Sequence, residues 1–276
     1  MHTINCNGHL IDLSTPHVMG IVNVTPDSFY DGGKLKSDID LLQQVNKMLA
    51  DGATFIDIGG YSSRPDGMDI TVDEELNRVI PMIDILIKEF KDLNLSIDSF
   101  RSRVVDQAIQ HGVNIVNDIS AGMIDEKMIE TVAQHRVPYI MMHMRGTPQT
   151  MRSLNKYNNL IKDINFYFSE RIATARAAGI DDIIIDPGYG FAKTVNQNYH
   201  LLQNQGLVKL HNVPILSGIS RKSMIYKTLD IKATQALNGT SALHMICLQQ
   251  GASILRVHDV NEAMEVIKLY HMIEAN

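Results

Sequence analysis

Two cysteines in 276 residues, Cys6 and Cys247, allow one disulfide at most, and nothing in their spacing suggests a metal site. Cys247 lies in the apolar helical stretch Ala-Leu-His-Met-Ile-Cys-Leu, residues 242–248, and reads as a small core residue. Positive charge is also scarce. Against 31 acidic residues stand 25 Lys and Arg, a net charge of −6, and no basic run exceeds a few residues. That excludes a phosphate-backbone binder, which needs clustered Lys and Arg. No apolar run reaches the roughly 18 residues of a membrane span. The amino terminus lacks a basic region followed by an apolar run, so no signal peptide is expected and the location implied is the cytoplasm. Eleven histidines show no HExxH or similar spacing, which argues against a tight zinc site made by protein alone. No linker or low-complexity stretch divides the chain, so residues 1–276 are read as a single domain.

What is present is repetition. Eight short runs rich in Val, Ile, Leu or Met occupy His17–Asn23, Thr54–Gly59, Leu95–Asp98, Asn114–Asp118, Pro138–His143, Asp182–Asp186, Pro214–Gly218 and Ala252–His258. They show little alternation, as strands buried on both faces of a parallel sheet do. Helical patterns separate them. Ser37 with Asp40, and Thr71 with Glu74, have capping-box spacing ahead of apolar periodic runs; Gly52 and Gly112 stop two such runs. Further helices are expected over 125–135, 155–178, 196–206 and 261–274, with a helix start at Arg221 and a longer helix after Gly239. Eight βα units in a chain of this length specify an α/β fold, a (β/α)8 TIM barrel. An open doubly wound sheet is the alternative, and the missing GxGxxG turn after the first strand weighs against it.

Polar residues gather where the runs end: Asn23, Ser62, Ser63, Asp98, Ser99, Asn117, Asp118, His143, Asp186, Ser220 to Lys222, Arg256 and His258. In a barrel these positions converge on one mouth. Each has a plainer reading. Asp118 is read as a cap for the following helix, His143 equally as a satisfied structural histidine or a ligand contact, and Arg101 and Arg103 as solvated helix-start residues. Asp98, Asn117 and Asp186 bring two carboxylates and an amide from three strands, a match for a flat heterocycle with several N–H donors. Lys222, Arg256 and His258 bring positive charge from the last two strands, where barrels frequently bind phosphate. Asn23 offers an oxygen to Mg²⁺, which takes few protein ligands beside phosphates and waters. A nitrogen heterocycle bearing phosphate or diphosphate is therefore the expected ligand. Two loops rich in Gly, Pro, Ser and Asp, 24–33 with Phe29 in it and 59–67, are read as lids over the mouth.

Eight segments carry a resemblance to dihydropteroate synthase. They are Gly-Ile-Val-Asn-Val-Thr-Pro-Asp-Ser-Phe (20–29), Ser-Ser-Arg-Pro (62–65), Ser-Ile-Asp-Ser (96–99), Val-Asn-Asp-Ile-Ser (116–120), Met-Met-His-Met-Arg-Gly-Thr-Pro-Gln-Thr-Met (141–151), Ile-Asp-Pro-Gly-Tyr-Gly-Phe-Ala-Lys (185–193), Ser-Arg-Lys-Ser (220–223) and Leu-Arg-Val-His-Asp (255–259). They stand in the family's order. The resemblance implies condensation of 6-hydroxymethyl-7,8-dihydropterin diphosphate with p-aminobenzoate, with Mg²⁺, in folate biosynthesis, a sulfonamide-targeted step. It implies pterin binding by Asp98, Asn117, Met142, Asp186, Gly218 and Lys222, and diphosphate binding by Asn23, Ser63, Arg256 and His258, with Asn23 on the metal. It implies that Arg64, Pro65, Phe191, Lys222 and Ser223 surround p-aminobenzoate. Asp98, Lys222 and Asn23 are the residues expected to act in catalysis, and a homodimer through late helices is implied.

Tyr61, Ser63 and Asp66 depart from the family's second-loop pattern, and Tyr30 stands where a small residue is usual. These changes bear on inhibitor sensitivity and p-aminobenzoate affinity more than on reaction type. A methyltetrahydrofolate–corrinoid methyltransferase barrel would share Asp98, Asn117 and Asp186 but has no need of Ser-Arg-Lys-Ser, Ser-Ser-Arg-Pro and Arg-Val-His together. A non-catalytic pterin-binding paralogue would have lost loop or diphosphate residues that this chain keeps.

Overall fold

The computed structural model describes residues 2–24, 38–63 and 67–275, apart from the side chains of Lys209 and Leu210. The expected lid residues 25–33, the capping Ser37, and Arg64, Pro65 and Asp66 lie outside the described residues. Two short strands open the chain, β1 (Thr3–Cys6) and β2 (His9–Asp12), paired antiparallel. Eight parallel strands follow: β3 (His17–Asn23), β4 (Phe55–Gly59), β5 (Leu95–Asp98), β6 (Ile115–Asp118), β7 (Tyr139–Met142), β8 (Ile183–Asp186), β9 (Leu216–Ser217) and β10 (Ile254–Val257). Each expected run is a strand, several trimmed at their ends; 214–218 keeps only two residues. The order is β8-β7-β6-β5-β4-β3-β10-β9, and a parallel bridge between Ile185 and Ile215 brings β8 to β9, closing the ring.

Helices alternate with these strands: α1 (Asp38–Ala50), α2 (Val72–Glu89), α3 (Ser102–Gln110), α4 (Met128–His135), α5 (Leu160–Ala177), α6 (Val195–Gln203), α7 (Ser223–Thr228), α8 (Leu237–Gln249) and α9 (Val260–Glu274). The Thr71–Glu74 capping box forms at the start of α2: the Thr71 side chain accepts from the Glu74 amide and the Glu74 carboxylate accepts from the Thr71 amide. Gly52 and Gly112 each sit at φ +106°, the left-handed conformation that ends α1 and α3 cheaply only for glycine. The helix expected after Gly239 starts two residues earlier. Gly239 lies inside α8, where an ideal Cβ would meet Ile225 Cγ2 at 2.6 Å, so the residue lets α7 approach closely. The helix expected over 196–206 is α6 followed by a 3-10 turn at Gln205–His211.

Alternation along the barrel strands sorts the core into two shells. Val18, Ile56, Ile58, Leu95, Ile97, Val116 and Ile185 pack outward in the main core with the helices. Met19, Phe55, Ile115, Ile140, Ile184, Leu216 and Ile254 form an apolar layer of their own. Ile4 and Cys6 of the hairpin, with Leu13, pack onto this layer and close the floor of the barrel. The Asn5 amide donates to the Asp182 carboxylate at 2.8 Å, tying the hairpin to the start of β8. This hairpin was not expected from the sequence: its strands are four residues each and mostly exposed, too short for a period to show. Both cysteines are free and buried, in different core clusters.

Candidate active site

Two residues further along four of the strands from the apolar floor, the inward positions turn polar: Asp57 on β4, Asn117 on β6, Asp186 on β8 and Arg256 on β10, while on β5 Ser96, paired in register with Asp57, shares its face with Asp98. Parity also separates Asn117 from its neighbour. Asp118 points to the helix layer, where its carboxylate accepts from the Ser120 amide and hydroxyl, the Gly122 amide and the Tyr139 hydroxyl at 2.6–2.8 Å. The cap expected of Asp118 is therefore a cap on the turn after β6, not on α4 itself, which starts ten residues on.

Arg256 stands at the centre. Its Nε donates to Asp57 Oδ2 and its Nη2 to Asp98 Oδ2, both at 2.6 Å. Asn117 Nδ2 donates to the same Asp57 oxygen at 3.0 Å. Burial, outweighing the pull of Arg256, raises the Asp98 carboxyl above its ordinary value, and the charge of Asp57 adds to the rise. Across the mouth, Asp186 accepts from the Gly188 amide at 2.8 Å, and burial raises its carboxyl against the opposing charge of Lys222. Lys222 Nζ donates to the Tyr189 carbonyl at 2.6 Å and lies 4.9 Å from the centre of the Phe191 ring. Burial pulls its ammonium down to about 8, against the charge of Asp186. Gly218 faces all three of these groups. A Cβ there would meet Asp186 Oδ2, Lys222 Nζ and Arg256 Cβ at 3.7, 3.8 and 3.9 Å, so the absence of a side chain keeps that space open. Met142 is buried beside Phe191 in a small apolar cluster.

Lys193 holds the loop after β8. Its Nζ donates to the Gly188 and Phe191 carbonyls at 2.9 and 3.1 Å and contacts His143 Nδ1 at 3.0 Å. Burial lowers Lys193 to about 7 and holds His143 well below its usual range, so His143 receives the contact as a neutral ring. That is the structural reading of His143. The rim carries Asn23 and His258, both exposed, and Ser63, partly buried; the His258 amide donates to Ser220 Oγ at 3.2 Å. Ser223 starts α7, with Lys222 as its cap residue.

Two arginines depart from expectation. Arg101 is not solvated: its side chain is 15% exposed, its guanidinium bonds the wholly buried Glu75 at 2.9 Å and the Ile70 carbonyl at 2.6 Å, and it lies over the Tyr61 ring at 5.0 Å. Arg103, 65% exposed and paired with Asp73, is solvated as read. Arg221 belongs to the scaffold, not the mouth, because it forks onto both Asp259 oxygens at 2.7 and 2.8 Å. Tyr61, one of the departures, accepts from Gln149 Nε2 at 2.8 Å and donates to Asp69 at 3.1 Å, joining the loop after β4 to the loop after β7.

Asp57 is the residue that strand-end reasoning passed over. Its signal was an acidic side chain in the middle of Phe-Ile-Asp-Ile-Gly, a run otherwise fit for burial on both faces.

Residues 19–258 match the family profile described as pterin binding enzyme. The dihydropteroate synthase of Escherichia coli K12 is 41% identical over 95% of this chain and 93% of its own, and that of Haemophilus influenzae 41% over 96% of each. Among solved structures, the Yersinia pestis dihydropteroate synthase in a sulfonamide drug complex superposes with TM-score 0.94 at 38% identity, covering 99% of this chain and all of that one. The Xanthomonas albilineans enzyme with 4-aminobenzoic acid gives 0.91 at 36%, covering 99% and 98%. By fold and site this is a pterin-binding barrel enzyme. The chain belongs to the dihydropteroate synthase family.

Proposed function

We propose that the barrel mouth joins p-aminobenzoate to 6-hydroxymethyl-7,8-dihydropterin diphosphate by the residue roles below. The reaction is that of a dihydropteroate synthase, a transferase of folate biosynthesis: the bond from the pterin methylene carbon to diphosphate oxygen breaks, a C–N bond to the arylamine forms, and the amine proton leaves. The observation that carries the reading is the convergence of Asp186, Lys222 and Arg256 around the space left by Gly218, with Asp98 bonded to Arg256 and Asn117 joined to Arg256 through Asp57. Asp98, Asn117 and Asp186 accept from the N–H groups of the pterin, with Met142 against its face and Lys222 at its edge. Arg256, His258, Ser63 and Asn23 take the diphosphate. Phe191, Lys222 and Ser223, with Arg64 and Pro65 beyond the described residues, surround p-aminobenzoate.

Among the described residues no group of three or more His, Cys, Asp or Glu fits a metal. Asn23 is an exposed strand-end amide, and such a lone oxygen donor suits Mg²⁺ completed by phosphate and water. When bound, Mg²⁺ would offset negative charge on the departing diphosphate. Asp98 stabilises positive charge left on the pterin methylene as the bond lengthens. The amine is weakly basic and attacks without a strong base, so positioning and electrostatics carry the rate. A rate insensitive to electron-withdrawing groups on the pterin would contradict this dissociative path.

A homodimer and a cytoplasmic location belong to the same proposal. Leu269, Met272 and Ile273 on α9 are 55–65% exposed, an apolar strip suited to a second copy, whereas Cys247 and Leu248 of the 242–248 stretch are buried within one chain. Buried free thiols suit a reducing compartment. No described helix is long and apolar enough to cross a membrane. Product analysis tests the reading: incubation with both substrates and Mg²⁺ should yield 7,8-dihydropteroate by chromatography and mass. Pterin binding with no pteroate formed would mark a non-catalytic paralogue.

A further inference from the structure

Asp57 is wholly buried, and it touches two of the residues assigned to substrate. Its Oδ2 receives Asn117 Nδ2 and Arg256 Nε, and its Oδ1 is buried without a hydrogen-bond partner. A carboxylate has only acceptors, so the Asn117 amide must turn its NH2 to Asp57. Its carbonyl oxygen is then the atom left for a ligand. Arg256 is likewise divided: Nε is held by Asp57 and Nη2 by Asp98. We propose that Asp57 is a positioning residue for the transfer, fixing Asn117 with its carbonyl toward the pterin and holding Arg256 in place between β4 and β5.

The proposal rests on the pterin reading of the mouth. An apolar side chain at this position would free both partners. Asn117 could then present either its donor or its acceptor, and Arg256 would close wholly onto Asp98. An orphaned acceptor on a buried charge costs stability unless something is gained, and here the gain is a fixed acceptor pattern for the substrate.

Asp57→Asn keeps the shape and removes the charge. Its binding of 6-hydroxymethylpterin should weaken at least about tenfold by calorimetry, with the KM for p-aminobenzoate changed less than about twofold. The acid limb of kcat/KM for the pterin diphosphate should also move to lower pH. Asp98 is faced by Arg256, Asp57, Glu75 and Asp118; removing Asp57's charge lets Asp98 ionise more readily. Asp57→Glu, a methylene too long for a buried site, should not restore binding. If Asp57→Asn lowers only the melting temperature, with pterin affinity and the acid limb unmoved, the residue is merely structural and the inference falls while the pterin reading stands. If the unmodified protein itself fails to bind the pterin, both fall. Should Asp57→Asn not fold, Ser96→Val beside it tests the same layer: weakened pterin binding there with Asp57 intact would assign the effect to packing and overturn the proposal.

Discussion

At the scale of single residues, Arg256 is balanced against two carboxylates, and this balance has a pH sign. Arg256→Ala leaves the wholly buried Asp57 and the partly buried Asp98 without their cation, a change that for a fully buried pair typically costs about 3–5 kcal/mol. Asp98 already titrates above its ordinary value, so it penalises the folded state increasingly as pH rises and it ionises. The melting-temperature deficit of Arg256→Ala should therefore shrink as pH falls toward 5 and grow toward 8, as measured by calorimetric scans. At neutral pH this variant should lose diphosphate affinity more than p-aminobenzoate affinity; equal losses would contradict its placement. Lys222 sets the other limb. Its ammonium titrates near 8, so kcat/KM should fall as pH rises through that value, and Lys222→Arg, charged throughout, should carry the limb upward. Convergence at the mouth was legible where a polar group stands at or next to a strand end, as with Asp98, Asn117, Asp186 and Arg256. Asp57 was not, because its position is interior to the strand and only inward parity gives it a partner. Arg101 was misread because its burial depends on Glu75 and Tyr61, 26 and 40 residues away in sequence.

At the scale of elements, strands and helices were legible because parallel strands buried on both faces read as unbroken apolar runs and because caps and glycines punctuate the helices. The loop after β8 shows what local pattern leaves out. Gly188 sits at φ +73°, and a Cβ there would lie 2.0 Å from the His143 carbonyl oxygen. That contact comes from the residue that follows β7, far away in sequence. Gly188→Ala must shift the segment that carries the Tyr189 carbonyl on Lys222 and the Phe191 ring. It should lower stability by more than about 1 kcal/mol and raise the KM for p-aminobenzoate. Denaturant melts and steady-state kinetics read both; an unchanged KM would release this loop from the arylamine site.

At the scale of the whole molecule, the barrel separates stability from chemistry. Its floor is apolar and sealed by the amino-terminal hairpin, and its mouth is polar. Ile4→Ala should cost roughly 2–5 kcal/mol of stability yet leave kcat/KM unchanged, because Ile4 packs at the end opposite the site. A parallel loss of activity would mean that the two ends are coupled. Eight repeats made the barrel legible from the chain; the hairpin plug was not, since nothing in eight short, half-exposed positions specifies what they cover. The central claim, that this mouth couples departure of diphosphate to attack by an arylamine, is tested most directly by following diphosphate release from the pterin substrate with Mg²⁺, with and without p-aminobenzoate. The account predicts release that depends on the amine and drops by orders of magnitude in folded Asp98→Ala. Release at the same rate without the amine, or undiminished in Asp98→Ala, would contradict it.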